Sequence, residues 1–253
     1  MNIRVVKIGG SALADAGWLT AFASAAASSR APLVVVHGGG PDITALSDRL
    51  GIEVRWHEGR RVTPPAALDV ASMVLTGRVN KRIVTALLAA GVDAIGLSGI
   101  DGGLLRADVM EGGVLGRVGR VTAVRAGLLR GLLAGGHTVV ISPISLGSDG
   151  DALNVNADDA AAAVAAALNA TELVFLTDVP GVQDAAGLRQ LLDPVEAAGL
   201  VQTGVAWGGM GVKLSAGVKA LDCGVPAVRI GDASVLYDVA AGTMLRRTPV
   251  GAA

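Results

Sequence analysis

Short runs of aliphatic residues alternate along this chain with longer stretches in which apolar residues return at helical spacing. The run Arg4–Ile8 reads as a strand that ends in Gly-Gly-Ser. Residues 18–29 read as a helix, 33–36 as a β-branched strand ending in HGGGP, and 42–50 as a second helix. Residues 64–90 are long enough for one or two helices, and 92–97 form a strand again. Residues 102–122, rich in glycine and valine, read as a hairpin excursion. A helix at 125–134, strands at 139–144 and 173–177, a turn at 178–181, a helix at 213–221 and a strand at 227–230 complete the pattern. Strands alternating with helices predict βαβ units and a mostly parallel sheet, an α/β fold. A soft division near Ala170 separates residues 1–170 from residues 171–253.

One block breaks the alternation. In LNVNADDAAAAVAAALNA, residues 153–170, a nearly pure alanine, valine and leucine stretch follows three polar residues at every second position, Asn154, Asn156 and Asp158. A helix cap needs one polar residue. Three in an extended segment would share one face, and that face is expected to be a site. A carboxylate at 158 or 159 is favoured by the helix dipole in any case.

Composition narrows the class. Half of the residues, 51%, are hydrophobic but only 2% are aromatic, as buried parallel strands and alanine-rich helices would require. A formal charge of -1 points neither to nucleic acid nor to an acidic membrane as partner. No segment reads as a membrane span: the alanine run is too short, and the uncharged residues 131–148 carry His137, Pro143, paired glycines and serines. Lys7 and the Gly9-Gly10 pair interrupt any signal-peptide core. The single Cys223 makes neither an internal disulfide nor a metal motif and reads as a small buried apolar residue. A cytoplasmic protein is the expectation.

Parallel sheets bind ligands beyond the carboxyl ends of their strands, and three glycine-bearing ends stand there. In VVKIGGS, residues 5–11, Gly9 and Gly10 let backbone N–H groups close on a phosphate, and Lys7 inside the strand calls for an anionic partner. In VVVHGGGP, residues 34–41, three glycines precede a helix, whereas His37 reads as a structural, locally hydrogen-bonded residue. In WGGMGVK, residues 207–213, Gly208 and Gly209 precede a helix containing Lys213. Neither the G-x-G-x-x-G dinucleotide fingerprint nor a P-loop is present. Two glycine turns and two lysines suit phosphoryl transfer, whose transition state spreads negative charge over the transferred group. No histidine or glutamate stands out as a general base. A carboxylate acceptor needs none, because at a pKa of roughly 4 it is already ionised at pH 7.

These motifs, together with GRRVTP, TGRVNKRIV, GLSGIDGGL, LNVNADDAA and LTDVPGV in this order over residues 4 to about 245, resemble the amino-acid kinase family. The resemblance is strongest to those members that phosphorylate the side-chain carboxylate of N-acetyl-L-glutamate in arginine biosynthesis. It implies a three-layer αβα sandwich. Residues 1–170 would form the substrate-binding and dimerising lobe, and 171–253 the ATP-binding lobe. Lys7 and Lys213 would act on the phosphoryl group from opposite sides, with Asp158 orienting both. Arg61, Asn154 and the amides of Gly39 and Gly40 would hold N-acetyl-L-glutamate. Gly9, Gly10, Asp178, Val179, Gly181, Gly209 and Met210 would line the ATP site. Mg²⁺ would be held mainly by phosphates and water, and no residue is singled out as a metal ligand. Two segments depart from the family pattern: Gly211 stands where isoleucine is usual, and EGRRVT replaces NGLRVT, so Arg60 offers a second guanidinium beside Arg61. Arginine-inhibited members carry an extra helix before the first strand. Here the strand starts within the first residues, so a homodimer without arginine feedback is expected. Within the same fold, a kinase for carrier-bound aminoadipate is the nearest rival; its members usually show HGGS and a basic segment in place of WGGMGVK.

Overall fold

A computed structural model describes residues 2–29, 31–110 and 113–247. The first half of the chain runs β1 (Arg4–Ile8), α1 (Ala16–Ala27), β2 (Leu33–His37), α2 (Gly40–Arg49), the short strands β3 (Trp56–His57) and β4 (Arg60–Arg61), then α3 (Pro65–Ser72). A π-helical segment, Met73–Val79, leads without a break into α4 (Asn80–Ala89), so the expected 64–90 region is one continuous helical run. Next come β5 (Ala94–Ser98), β6 (Leu105–Val109), β7 (Val118–Val124), α5 (Ala126–Ala134), β8 (Thr138–Ser142), β9 (Ile144–Gly147), β10 (Ala152–Val155) and α6 (Ala157–Leu168). The last part holds β11 (Glu172–Leu176), β12 (Gln183–Asp184), β13 (Gly187–Leu188), β14 (Leu191–Leu192), α7 (Pro194–Gln202), α8 (Gly208–Asp222), β15 (Val228–Gly231) and β16 (Thr243–Leu245).

Eight strands form one sheet in the order β14-β16-β15-β11-β1-β2-β8-β5, parallel except where β16 meets β15. The fold is therefore α/β with a mostly parallel central sheet, as the alternation of runs predicts. The strands are apolar on both faces because helices cover both. Val5, Val34, Val36, Leu173 and Phe175 join the core under α5, α6 and α8, while Val6, Ile8, Val35, Val174 and Leu176 join the core under α1, α3 and α4. The division near Ala170 falls between β11 and β1, in the middle of this sheet. The hairpin excursion is β6 with β7, which pair antiparallel and close a small four-stranded barrel with β9 and β10. Residues 111 and 112 of that excursion lie outside the described residues, as do 248–253 of the second half.

Three expectations are corrected. Cys223 is exposed rather than buried, since it ends α8 at the surface. Gly208 and Gly209 do not precede α8 but form its first turn, with Trp207 as the cap residue. The extended segment through Asn154 stops at Val155, so the three polar residues do not share a strand face. Asn156 is the N-cap of α6, and its side chain accepts from the amides of Asp158 at 2.8 Å and Asp159 at 3.3 Å. Asp158 and Asp159 thus sit in the first helical turn, where the dipole favours them.

The two-residue turn joining β3 to β4 has positive φ at both centres, 48° at Glu58 and 74° at Gly59. This turn conformation favours asparagine before glycine, and a glutamate there is disfavoured by about 1 kcal/mol. Glu58→Asn is expected to raise the urea midpoint by a stabilisation of that order, about 1 kcal/mol. An unchanged midpoint would show that the turn is not strained.

Candidate active site

The centre of the sheet meets three turns at its carboxyl edge: Gly9-Gly10 after β1, Gly38–Gly40 after β2, and Thr177-Asp178 after β11. The chain leaves β1 toward β2 on one side, and β11 lies on the other, so the ligand-binding switch point of such sheets falls here.

β1 lies between β11 and β2, so Lys7 is not an edge lysine. Strand alternation turns it to the same face as Val5, under the N-terminus of α6. Its ammonium lies 2.8 Å from Asp158 Oδ1, with both side chains largely buried. That oxygen receives no in-line hydrogen bond, so the contact is an ion pair held by charge. Alanines at 160, 161 and 165 let α6 pack low enough against the sheet to bring Asp158 down to Lys7.

The first two turns touch backbone to backbone. A Cβ at Gly10 would fall 2.8 Å from Gly40 N, 2.9 Å from Gly39 Cα and 2.9 Å from Pro41 Cδ. At Gly39 it would strike Leu75 Cδ2 at 2.7 Å. The Gly38 amide donates to Ile8 O at 2.9 Å, which fastens the turns together. His37 secures them from beneath: its Nδ1 lies 3.0 Å from Gly38 O and its Nε2 3.3 Å from the Asn80 amide nitrogen. Complete burial lowers its pKa to about 4, so the ring is neutral at pH 7 and fits its structural reading.

On one side of Lys7 a pocket of about 120 Å³ is bordered by Trp56, Arg60, Arg61, Asn154 and Asn156. Arg61 is buried, donates to Thr44 Oγ1 at 2.7 Å and Gly40 O at 3.2 Å, and stacks over Trp56 with 4.7 Å to the ring centroid. Its guanidinium is thereby held against the start of α2, at the Gly40 carbonyl; a fork of this kind can grip a carboxylate with two bonds. Asn154 donates to Thr63 Oγ1 at 3.1 Å. Arg60 does not compete for the same anion, because it turns to Asp159 at 3.0 Å.

On the other side a cleft of about 210 Å³ is bordered by Gly9, Ser11, Trp18, Thr177, Asp178 and Lys213. Lys213 rests against Gly209 O at 3.4 Å. Among the described residues the ion pair to Asp158 is made by Lys7 and not by Lys213. Gly211 fits tightly: a Cβ there would lie 2.9 Å from Ala206 O, so the departure from the usual isoleucine fixes the start of α8 against the preceding loop. Met210 packs on the core beneath. Val179 is partly exposed next to Asp178, while Gly181 faces Thr243 Oγ1 and Leu188, where a side chain would not fit. Sequence reasoning missed Ser11, Trp18, Trp56 and Asp159. Of these, Ser11 ends the quoted VVKIGGS and Asp159 lies within LNVNADDAA, whereas neither tryptophan falls in a quoted motif.

Burial, and after it the charge of Lys7, pushes the Lys213 pKa below the usual lysine range, although Asp158 and Asp178 pull upward. The charged form exists below this lowered value, so any rate that depends on it is lost as pH rises through it. The kcat profile is expected to fall on an alkaline limb below the ordinary lysine pKa. In Lys213→Arg the remaining activity should lose that limb, since guanidinium stays charged; an identical limb in both proteins would assign it to another group.

The sequence pattern of the amino acid kinase family matches residues 2–232. An acetylglutamate kinase of Chloroflexus aurantiacus is 46% identical over 240 residues, covering 94% of this chain and 94% of the relative. Among solved structures, smu.665 of Streptococcus mutans superposes with a TM-score of 0.82 at 28% identity, covering 98% of this chain and 99% of the other. N-acetylglutamate synthase of Neisseria gonorrhoeae, in complex with coenzyme A and N-acetyl-glutamate, gives 0.82 at 25% identity; the match covers 98% of this chain and 60% of that one.

Proposed function

The chain belongs to the amino acid kinase family, and from that membership we propose that it transfers the γ-phosphoryl group of ATP to the side-chain carboxylate of N-acetyl-L-glutamate. The product is the acyl phosphate, N-acetyl-L-glutamyl 5-phosphate, a step of arginine biosynthesis. The observation that carries the reading is the Lys7–Asp158 pair at the meeting of two glycine turns, with an arginine-lined pocket on one side and a lysine-lined cleft on the other.

The acceptor carboxylate is ionised at neutral pH and attacks phosphorus directly, so no side chain has to remove a proton. Arg61 and Asn154 bind the acyl amino acid, and the amides of Gly39 and Gly40 hold its reacting carboxylate. Gly9, Gly10, Asp178, Val179, Gly181, Gly209 and Met210 serve the nucleotide. Lys7 and Lys213 meet the charge that builds on the transferred oxygens. Asp158 pairs with Lys7 and aims it, and Lys213 joins the pair when α8 moves in. Among the described residues no three carboxylate, histidine or cysteine groups converge as a metal cage. A Mg²⁺ ion would arrive on the phosphates, beside Asp178, and supply charge neutralisation there.

An ATP-dependent hydroxamate assay offering N-acetylglutamate, glutamate and carrier-bound aminoadipate in parallel tests the reading. Turnover is expected with the first; its absence there would end the assignment. The enzyme is further proposed to work in the cytoplasm as a homodimer, for which β5 leaves an open sheet edge; sedimentation as a hexamer would overturn the dimer.

A further inference from the structure

Asp159 lies beside the Asp158 of the reaction centre but points elsewhere, as consecutive residues on a helix must. Its two oxygens are shared between two distant segments. Oδ2 accepts from Arg60 of β4 at 3.0 Å, and Oδ1 meets Lys219 of α8 at 2.6 Å. Burial alone would raise this carboxyl, but Lys219 and Arg60 hold it below the usual range. Arg60 belongs to the β3–β4 hairpin that overhangs the acyl pocket, with residues 56–59 exposed and a strained turn at Glu58. Among the described residues, and apart from Arg61, whose guanidinium anchors to α2, this ion pair is the hairpin's side-chain tie to the body of the fold. Lys219 follows Lys213 by six residues on one uninterrupted helix, about 9 Å along its axis.

We propose that Asp159 is a positioning residue that couples the two halves of the site: it ties the hairpin over the acyl pocket to the helix that carries Lys213. Nucleotide phosphates that draw in Lys213 displace α8 as a body, and Lys219 moves with it. The shared carboxylate then re-seats Arg60, and the hairpin settles over the acyl pocket. Binding on one side thereby changes the order of the other through a single carboxylate with two cationic arms. The inference rests on the kinase reading for the nucleotide and not on which acyl acceptor is used.

Hydrogen–deuterium exchange at amides 55–62, with and without Mg²⁺ and a non-hydrolysable ATP analogue, tests it. In the parent protein the analogue is expected to slow hairpin exchange by about fivefold or more, the lower end of ordinary coupling between sites. In Asp159→Asn and in Lys219→Met the analogue still binds, but hairpin exchange no longer responds; Asp159→Glu restores the response. A hairpin that ignores the nucleotide in the parent, or responds equally in both variants, overturns the proposal. If Asp159 served only to hold α6 folded, its loss would speed exchange across 157–168 and leave the nucleotide response intact, which also overturns it. A parent protein that does not bind the analogue overturns the coupling together with the kinase reading. Absence of N-acetylglutamate turnover with the hairpin response present overturns the acceptor alone.

Discussion

Lys7→Ala is expected to lower kcat by about 10²–10³-fold, the usual loss on removing one donor aimed at developing charge. KM for the acyl amino acid should move far less, because the role proposed for Lys7 sets it against the transferred group and not the anchoring carboxylate. The expectation follows from placement. Lys7 lies in the central strand, cannot turn away to solvent, and is aimed by Asp158 at 2.8 Å. Asp158→Ala should follow Lys7→Ala in direction, since it leaves the ammonium without its partner. Steady-state kinetics decide the matter, with melting curves run alongside to exclude misfolding. A kcat within tenfold of the parent in either variant would mean that the reacting centre lies elsewhere.

Gly10→Ala gives the second large effect. The added carbon would lie 2.8 Å from Gly40 N and 2.9 Å from Gly39 Cα, and both are backbone atoms with no rotamer to yield. Overpacking of this kind destabilises by about 1–3 kcal/mol. The two turns must also move apart, and a shift of about 1 Å in substrate-positioning groups lowers rate by roughly 10²-fold. Gly131→Ala in α5 is the control, because a Cβ there meets nothing within 4 Å. Denaturant midpoints and kcat/KM measured together should show both losses at residue 10 and neither at 131. An active, stable Gly10→Ala protein would remove the case for contact between the turns.

The strand–helix order and the glycine turns at the carboxyl edge of the sheet are legible because each rests on a local signal. Buried parallel strands give unbroken aliphatic runs, and close backbone approach demands glycine at 10 and 39. What was illegible depends on distance in sequence. Arg60, Asp159 and Lys219 meet across 99 and 60 residues, and nothing near any of them announces the others. The stack of Arg61 on Trp56 becomes visible only once the hairpin is folded. Asn154, Asn156 and Asp158 misled by their period of two: the strand ends between them, and Asn156 spends its side chain on the cap. Helix α7 is hard to read from sequence although Asp193 and Glu196 form a capping box at its start, because a short segment with weak apolar period hides among turns. Cys223 was misjudged by residue type, and its place at a helix end decided otherwise.

The sheet runs unbroken from β11 to β1, with residues 4–8 in register with 172–176 along the whole ladder. The two halves of the molecule therefore have no hinge of loose chain at their seam. They can close on a ligand only by changing the twist of a sheet they hold in common, a motion smallest at its central strands and growing outward. In such a closure Lys7, on that near-stationary axis, would be a fixed post, and Lys213, carried on α8, the travelling jaw.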